Sequence, residues 1–145
     1  MSSRNEKLFS RVLVAIDGSE SAKKAFSKAI FLSVRCNFKL DVVHVVQCEL
    51  GGDSATTFEI IDELKRKARE ILDECKNEAV KNKLQIKTII QIGDPAKIIT
   101  AIANSKNYDL IILGNRGMSA FKELLLGSVS LKVTHHARCP VMIVR

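Results

Sequence analysis

The sequence predicts an α/β protein: an open, mostly parallel sheet of five strands with helices on both faces. Two observations predict it. Five short apolar runs rich in β-branched residues recur along the chain, and helical segments with apolar residues three and four apart stand between them. Clusters of Gly, Asp, Ser and Pro punctuate the joins, where turns must lie. Parallel neighbours need long crossovers, and helical crossovers cover the faces of the sheet. The 145 residues suit one domain, taken as 1–145, since no segment between the apolar runs is long or biased enough to be a linker.

The first strand is expected over 12–16, closed by Asp17, Gly18 and Ser19 as a turn and a helix N-cap. The helix that follows, about 21–34, gathers Ala22, Ala25, Phe26, Ala29 and Ile30 on one face, several of them small enough for close approach to a sheet. A second strand over 40–46 is followed by Gly51, Gly52, Asp53 and Ser54, a loop composition, and then by a long helix. Its expected apolar face is Phe58, Ile61, Leu64, Ala68, Ile71, Leu72, Cys75 and Ala79. The third strand, 85–92, ends in Gly93, Asp94 and Pro95, which supply a turn, an N-cap and a proline at the first helical position. Ile98, Ile99, Ile102 and Ala103 face inward from that helix. A fourth strand over 110–113 stops at Gly114, a helix is expected at about 129–136, and 141–144 is the last strand.

Composition removes several classes of function. With 46% hydrophobic and 27% charged residues the chain reads as a folded soluble protein, and its core must be aliphatic because it has no Trp, one Tyr and six Phe. No apolar run approaches the roughly 20 residues needed to cross a bilayer. Residues 1–7 are polar and lack the apolar stretch of a secretory signal, so a cytoplasmic location without a leader is expected. The cysteines, Cys36, Cys48, Cys75 and Cys139, form no Cys-x-x-Cys pair and are read as free thiols. His135, His136 and Cys139 fall short of a zinc ligand set, and no metal held by protein side chains is expected. The formal charge of +7 suits a polyanion, but acidic residues interrupt Lys65, Arg66, Lys67 and Arg69 and no aromatics interleave, so nucleic acid is not the expected partner.

The most informative feature follows the fourth strand. Gly114, Asn115, Arg116 and Gly117 come directly after it, and after nine intervening residues Gly127, Ser128, Val129 and Ser130 open the last helix. Phosphates need bare backbone N–H donors at close range, which glycine permits, and a helix N-terminus adds partial positive charge. Arg116 and the hydroxyls of Ser128 and Ser130 are further donors. On the residues alone, phosphate binding and a pair of ordinary tight turns both remain open. A dinucleotide-binding Rossmann site would carry its Gly-x-Gly-x-x-Gly after the first strand, where Asp17, Gly18 and Ser19 stand. A P-loop would follow its glycine with Lys-Ser or Lys-Thr, which neither Gly117 nor Gly127 does. A receiver domain would end its third strand in an acidic residue rather than Ile92 and Gly93.

Gly-x-x-Gly, nine residues, then Gly-Ser resembles the nucleotide-binding signature of the ATP-binding universal stress proteins. Residues 14–21, 44–46, 109–114 and 139–144 resemble that family's first, second, fourth and fifth strand regions in the same order, leaving 47–57 without a recognisable motif. The resemblance implies a Rossmann-like sheet in the order 3-2-1-4-5, with a ligand crevice between the first and fourth strands. It implies that Asp17 accepts from ribose, that the main chain around Val45 meets adenine, and that Gly117, Gly127, Ser128, Val129 and Ser130 hold phosphates, with Gly114 beside the crevice and Arg116 helping with charge. The implied ligand is ATP or another adenine nucleotide, with any Mg or Mn held mainly by the phosphates.

Hydrolysis would need a general base and a metal ligand near the γ-phosphate, and Asp17 is the only acidic residue assigned to the crevice. Binding and signalling to protein partners is therefore expected over catalysis, with at most weak ATPase activity. The last strand is an edge in the implied order, and a homodimer paired through Val141, Met142 and Ile143 is expected to cover it.

Overall fold

The computed structural model describes residues 6–48, 54–117 and 126–145. Its strands are β1 (Arg11–Ala15), β2 (Lys39–Val46), β3 (Lys87–Ile92), β4 (Leu110–Gly114) and β5 (Val141–Val144). Its helices are α1 (Glu20–Cys36), α2 (Ser54–Lys81), α3 (Pro95–Ser105) and α4 (Ser128–His136). All pairings are parallel and the order is β3-β2-β1-β4-β5, as the resemblance implies.

Alternation of side chains along the strands builds two cores. Val12, Val14 and Ile16 face one side, where Ala22, Ala25, Phe26, Ala29 and Ile30 of α1 and Leu72, Cys75 and Ala79 of α2 cover them. Leu13 and Ala15 face the other, under Ala96, Ile99 and Ala103 of α3 and Val133 of α4. The central strand is sealed on both faces, with Val12, Leu13 and Val14 at 0% exposure, whereas every residue of the edge strand β5 is only partly buried.

The helix starts follow the sequence signals. Ser19 caps α1 by accepting from the Ala22 N–H, and Asp94 caps α3 by accepting from the Lys97 N–H, with Pro95 in the first turn. Beyond one- or two-residue shifts at the ends of β1, β2, β4 and α1, three expectations need correction. β3 begins at Lys87 rather than residue 85, because 84–86 lie outside the ladder with β2. Phe58 does not face the sheet but stands 68% exposed, and Ile61 and Leu64 are only half-buried. α4 begins one residue earlier than expected, so Gly127 rather than Ser128 occupies its N-cap position. Of the loop expected at 51–54, residues 51–53 lie outside the described residues and Ser54 is the first residue of α2.

Candidate functional site

β2 and β4 lie on opposite sides of β1, so the strand order reverses at β1, and the β1–β4 boundary is the place where open parallel sheets hold ligands. The chain turns out of β1 at Asp17, whose Oδ1 accepts the Ser19 N–H at 2.9 Å. Of the two roles open to Asp17, the turn carboxylate is thus present. Its other oxygen faces the second glycine of the loop: a Cβ built on Gly117 would stand 3.0 Å from Asp17 Oδ2. The register of β1 with β2, Ala15 opposite Val43, places Val45 beside Asp17 when continued by two residues. Val45 packs its side chain into the α3–α4 core.

The glycine turns are held against one another and against α1. The Gly127 N–H donates to the Asn115 carbonyl at 2.6 Å, and a Cβ on Gly127 would meet Arg116 Cα at 3.3 Å and the Gly117 nitrogen at 3.5 Å. Ser21 donates its hydroxyl to Asn115 Oδ1 at 2.8 Å and accepts the Arg116 N–H at 3.3 Å. Ser19 donates to the Arg116 carbonyl at 3.4 Å. Gly114 is glycine for a packing reason, since a Cβ there would lie 2.7 Å from the Ser21 carbonyl carbon. Ser130 spends its hydroxyl on the Gly114 carbonyl at 2.7 Å, which ties the first turn of α4 to the end of β4. Asp17, Arg116, Gly117 and Gly127 thus come together with the start of α4, and Ser128, Val129 and Ser130 follow in its first turn.

Two local features separate this end from an ordinary helix start. Gly127 makes no side-chain cap, and α4 has no acidic residue in its first turn, so no side chain of α4 itself offsets the partial positive charge there. Arg116 Nε is buried without a hydrogen-bond partner among the described residues. His44, next to Val45, has its Nδ1 buried without a partner. Burial pushes the His44 imidazole below the ordinary histidine value, with a hydrogen bond to Ile16 and the charge of Asp17 acting against that shift. Ser21, Asn115 and His44 lie in the segments quoted from the sequence but were given no role of their own there. The Ser21 contacts join residues 94 and 95 positions apart, which periodicity does not report.

A family model, "Universal stress protein family", matches residues 8–145. This chain belongs to the universal stress protein family. It is 37% identical over 148 residues to universal stress protein YxiE of Bacillus subtilis, covering 95% of this chain and 100% of that one. The solved structure of universal stress protein UspA from Lactobacillus plantarum superposes with a TM-score of 0.85 at 26% identity, covering 94% of this chain and 98% of the other. A universal stress protein solved in complex with cAMP superposes at 0.74 with 26% identity, over 94% of this chain and 97% of that one. The fold and family expected from the glycine spacing are therefore established, and adenine nucleotide binding is a property of at least one relative.

Proposed function

We propose that this universal stress protein binds an adenine nucleotide, ATP foremost, above the β1–β4 boundary, and serves as a nucleotide-responsive dimeric sensor. The observation that carries the reading is the start of α4, where a glycine N-cap leaves first-turn N–H groups without a side-chain acceptor among the described residues, beside Gly117 and Arg116. Phosphates supply the missing acceptor. In this reading the backbone of Gly117, Gly127, Ser128, Val129 and Ser130 holds them, Arg116 balances charge, and Asp17 accepts from ribose. Val45, its side chain committed to the core, offers main chain to adenine, and Gly114 lies beneath the loop as its close-packed floor. The relative solved with cAMP supports the same ligand class.

Any Mg or Mn is held mainly by the phosphates, because Asp17 already accepts a turn hydrogen bond and is assigned to the sugar. Signalling to protein partners in the cytoplasm fits this role better than turnover. Phosphate release with either metal is expected below about 1 per second, the low end of ordinary enzyme rates. β5 is an edge strand with half-buried Val141, Met142 and Ile143, and pairing of two copies through it would satisfy both backbones about a two-fold axis.

Titration calorimetry of nucleotide-free protein with ATP, AMP and cAMP tests the binding. Stoichiometric heat with at least one of them is the expected result, and no heat with any would remove the proposal. Light scattering of the same sample reads the oligomer, for which twice the chain mass is expected.

A further inference from the structure

A second concavity, separate from the proposed nucleotide residues, runs between α3 and α4 with a volume of about 520 Å³, within the usual range for small-molecule sites. Small side chains make it concave: Ala96 and Ala101 line it on the α3 side. Lys97 on α3 and Lys132 and His136 on α4 also line it. Neither lysine forms an ion pair among the described residues. The acid that lines it, Asp94, is already engaged as the α3 cap, accepting the Lys97 N–H at 2.9 Å.

Thr100 adds an independent sign. A threonine in a helix ordinarily returns its hydroxyl to a carbonyl three or four residues earlier. Thr100 lines the groove, yet its Oγ1 is buried with no hydrogen-bond partner among the described residues. Such a hydroxyl is costly until an acceptor arrives, and rotation about χ1 is the small movement that would present it to one.

We infer that the α3–α4 groove is a second ligand site, for a small linear carboxylate with an apolar tail. The carboxylate lies between Lys97 and Lys132 with the Thr100 hydroxyl as a further donor, and the tail lies along the alanines and the lysine stems. From Ala96 to Asn104 the helix axis rises about 12 Å, which fits a chain of octanoate length. Positive rims on both helices favour an anion over a cation of the same shape.

The test is a titration of the 15N-labelled full chain with octanoate, with octylamine and inorganic phosphate as control probes. Saturable shifts of the Lys97, Thr100, Asn104, Lys132 and His136 amides are expected, with a dissociation constant near about 1 mM for so small a ligand. Octylamine and phosphate should bind at least about tenfold more weakly, because one lacks the charge and the other the tail. The pair Lys97→Glu and Lys132→Glu should weaken octanoate by at least about tenfold while AMP binding stays as in the wild type. Thr100→Val should also weaken octanoate, yet raise the melting midpoint by removing an unpartnered hydroxyl.

The inference is overturned by any of four results: unsaturable shifts, an equal response to octylamine, shifts centred on Gly117 and Gly127, or unchanged octanoate affinity in the double-glutamate variant. Shifts of the same amides on dilution without octanoate would also overturn it, by making the groove a contact between copies. Absence of binding of ATP, AMP and cAMP alike to the wild type would leave this site standing and remove the proposed function instead.

Discussion

Where β1, β2 and β4 begin, the charged and polar side chains satisfy one another, whereas where those strands end two buried side-chain nitrogens have no hydrogen-bond partner among the described residues. At the lower end the buried Asp41 accepts from the Tyr108 hydroxyl and from Arg11, at 3.4 Å. Arg11 also donates to the Lys106 carbonyl at 2.8 Å and lays its guanidinium 4.5 Å from the centre of the Tyr108 ring. Asp109 takes the backbone N–H groups of Ser10 and Arg11. Burial and then the bond to Asp41 push the Tyr108 phenol above its ordinary range, so it stays a donor. At the upper end α4 starts without a side-chain cap, and Arg116 Nε and His44 Nδ1 are buried without partners among the described residues. One end closes the sheet by internal pairing, and the other is where the nucleotide is proposed to bind.

The comparison breaks first at Gly114, which lies at the open end but serves packing. Gly114→Ala forces a methyl against Ser21, whose carbonyl carbon would be 2.7 Å away, and that backbone belongs to the capped start of α1. A loss of about 3 kcal/mol is expected from urea unfolding, the upper range for an overpacked core. A loss under about 0.5 kcal/mol would mean that α1 moves freely over the loop, and the rigid frame beneath the crevice would be wrong.

Tyr108→Phe probes the closed end. It removes the donor to a buried carboxylate and leaves Asp41 with the longer Arg11 contact, so about 2 kcal/mol of stability should be lost. Nucleotide affinity should stay within about twofold, because the change lies at the opposite end of β4 from Gly114. An affinity loss as large as the stability loss would show that the two ends are coupled.

Capping the open end is the third test. Gly127→Asn supplies a side-chain oxygen that competes with phosphate for the first-turn N–H groups, so ATP affinity should fall by about tenfold while the circular-dichroism spectrum is kept. Unchanged affinity would move the phosphates away from α4.

Much of this layout is legible in the sequence, and the parts that are not have physical reasons. The strands could be read because β1 and β4 are buried on both faces and must be continuous apolar runs. Periodicity misplaced Phe58 because it reports the face of a helix but not where the sheet beneath it stops. The 28 residues of α2 span about 42 Å, while the eight of β2 span about 26 Å, so one part of the helix has no sheet to cover. The buried residues Ala68, Leu72, Cys75 and Ala79 all lie in its C-terminal part. Asp41, an acid inside an apolar strand, was not singled out, because its partner Tyr108 is 67 residues away. The close approach of the glycine turns was legible because it leaves its mark as a missing side chain, whereas the Ser21 and Asn115 contacts are ones no local pattern encodes.

The smallest expected effect concerns His44. Its imidazole sits below the ordinary value of about 6.5 because burial disfavours the charged form, and the Ile16 hydrogen bond and Asp17 only partly offset this. The unfolded chain therefore takes up a proton before the folded one as pH falls. Stability is fully present above about pH 6.5, declines as pH drops toward the lower folded value, and levels off beneath it. His44→Gln removes that proton from both states, so the difference in unfolding free energy between wild type and variant should shrink from about pH 7.5 to about pH 5.5 if the wild type is the more stable at neutral pH. If the glutamine variant is instead the more stable form, its advantage should grow over the same interval. A difference that does not change with pH would show that His44 titrates alike in both states, and that the open end of the sheet is wetter around His44 than its buried Nδ1 indicates.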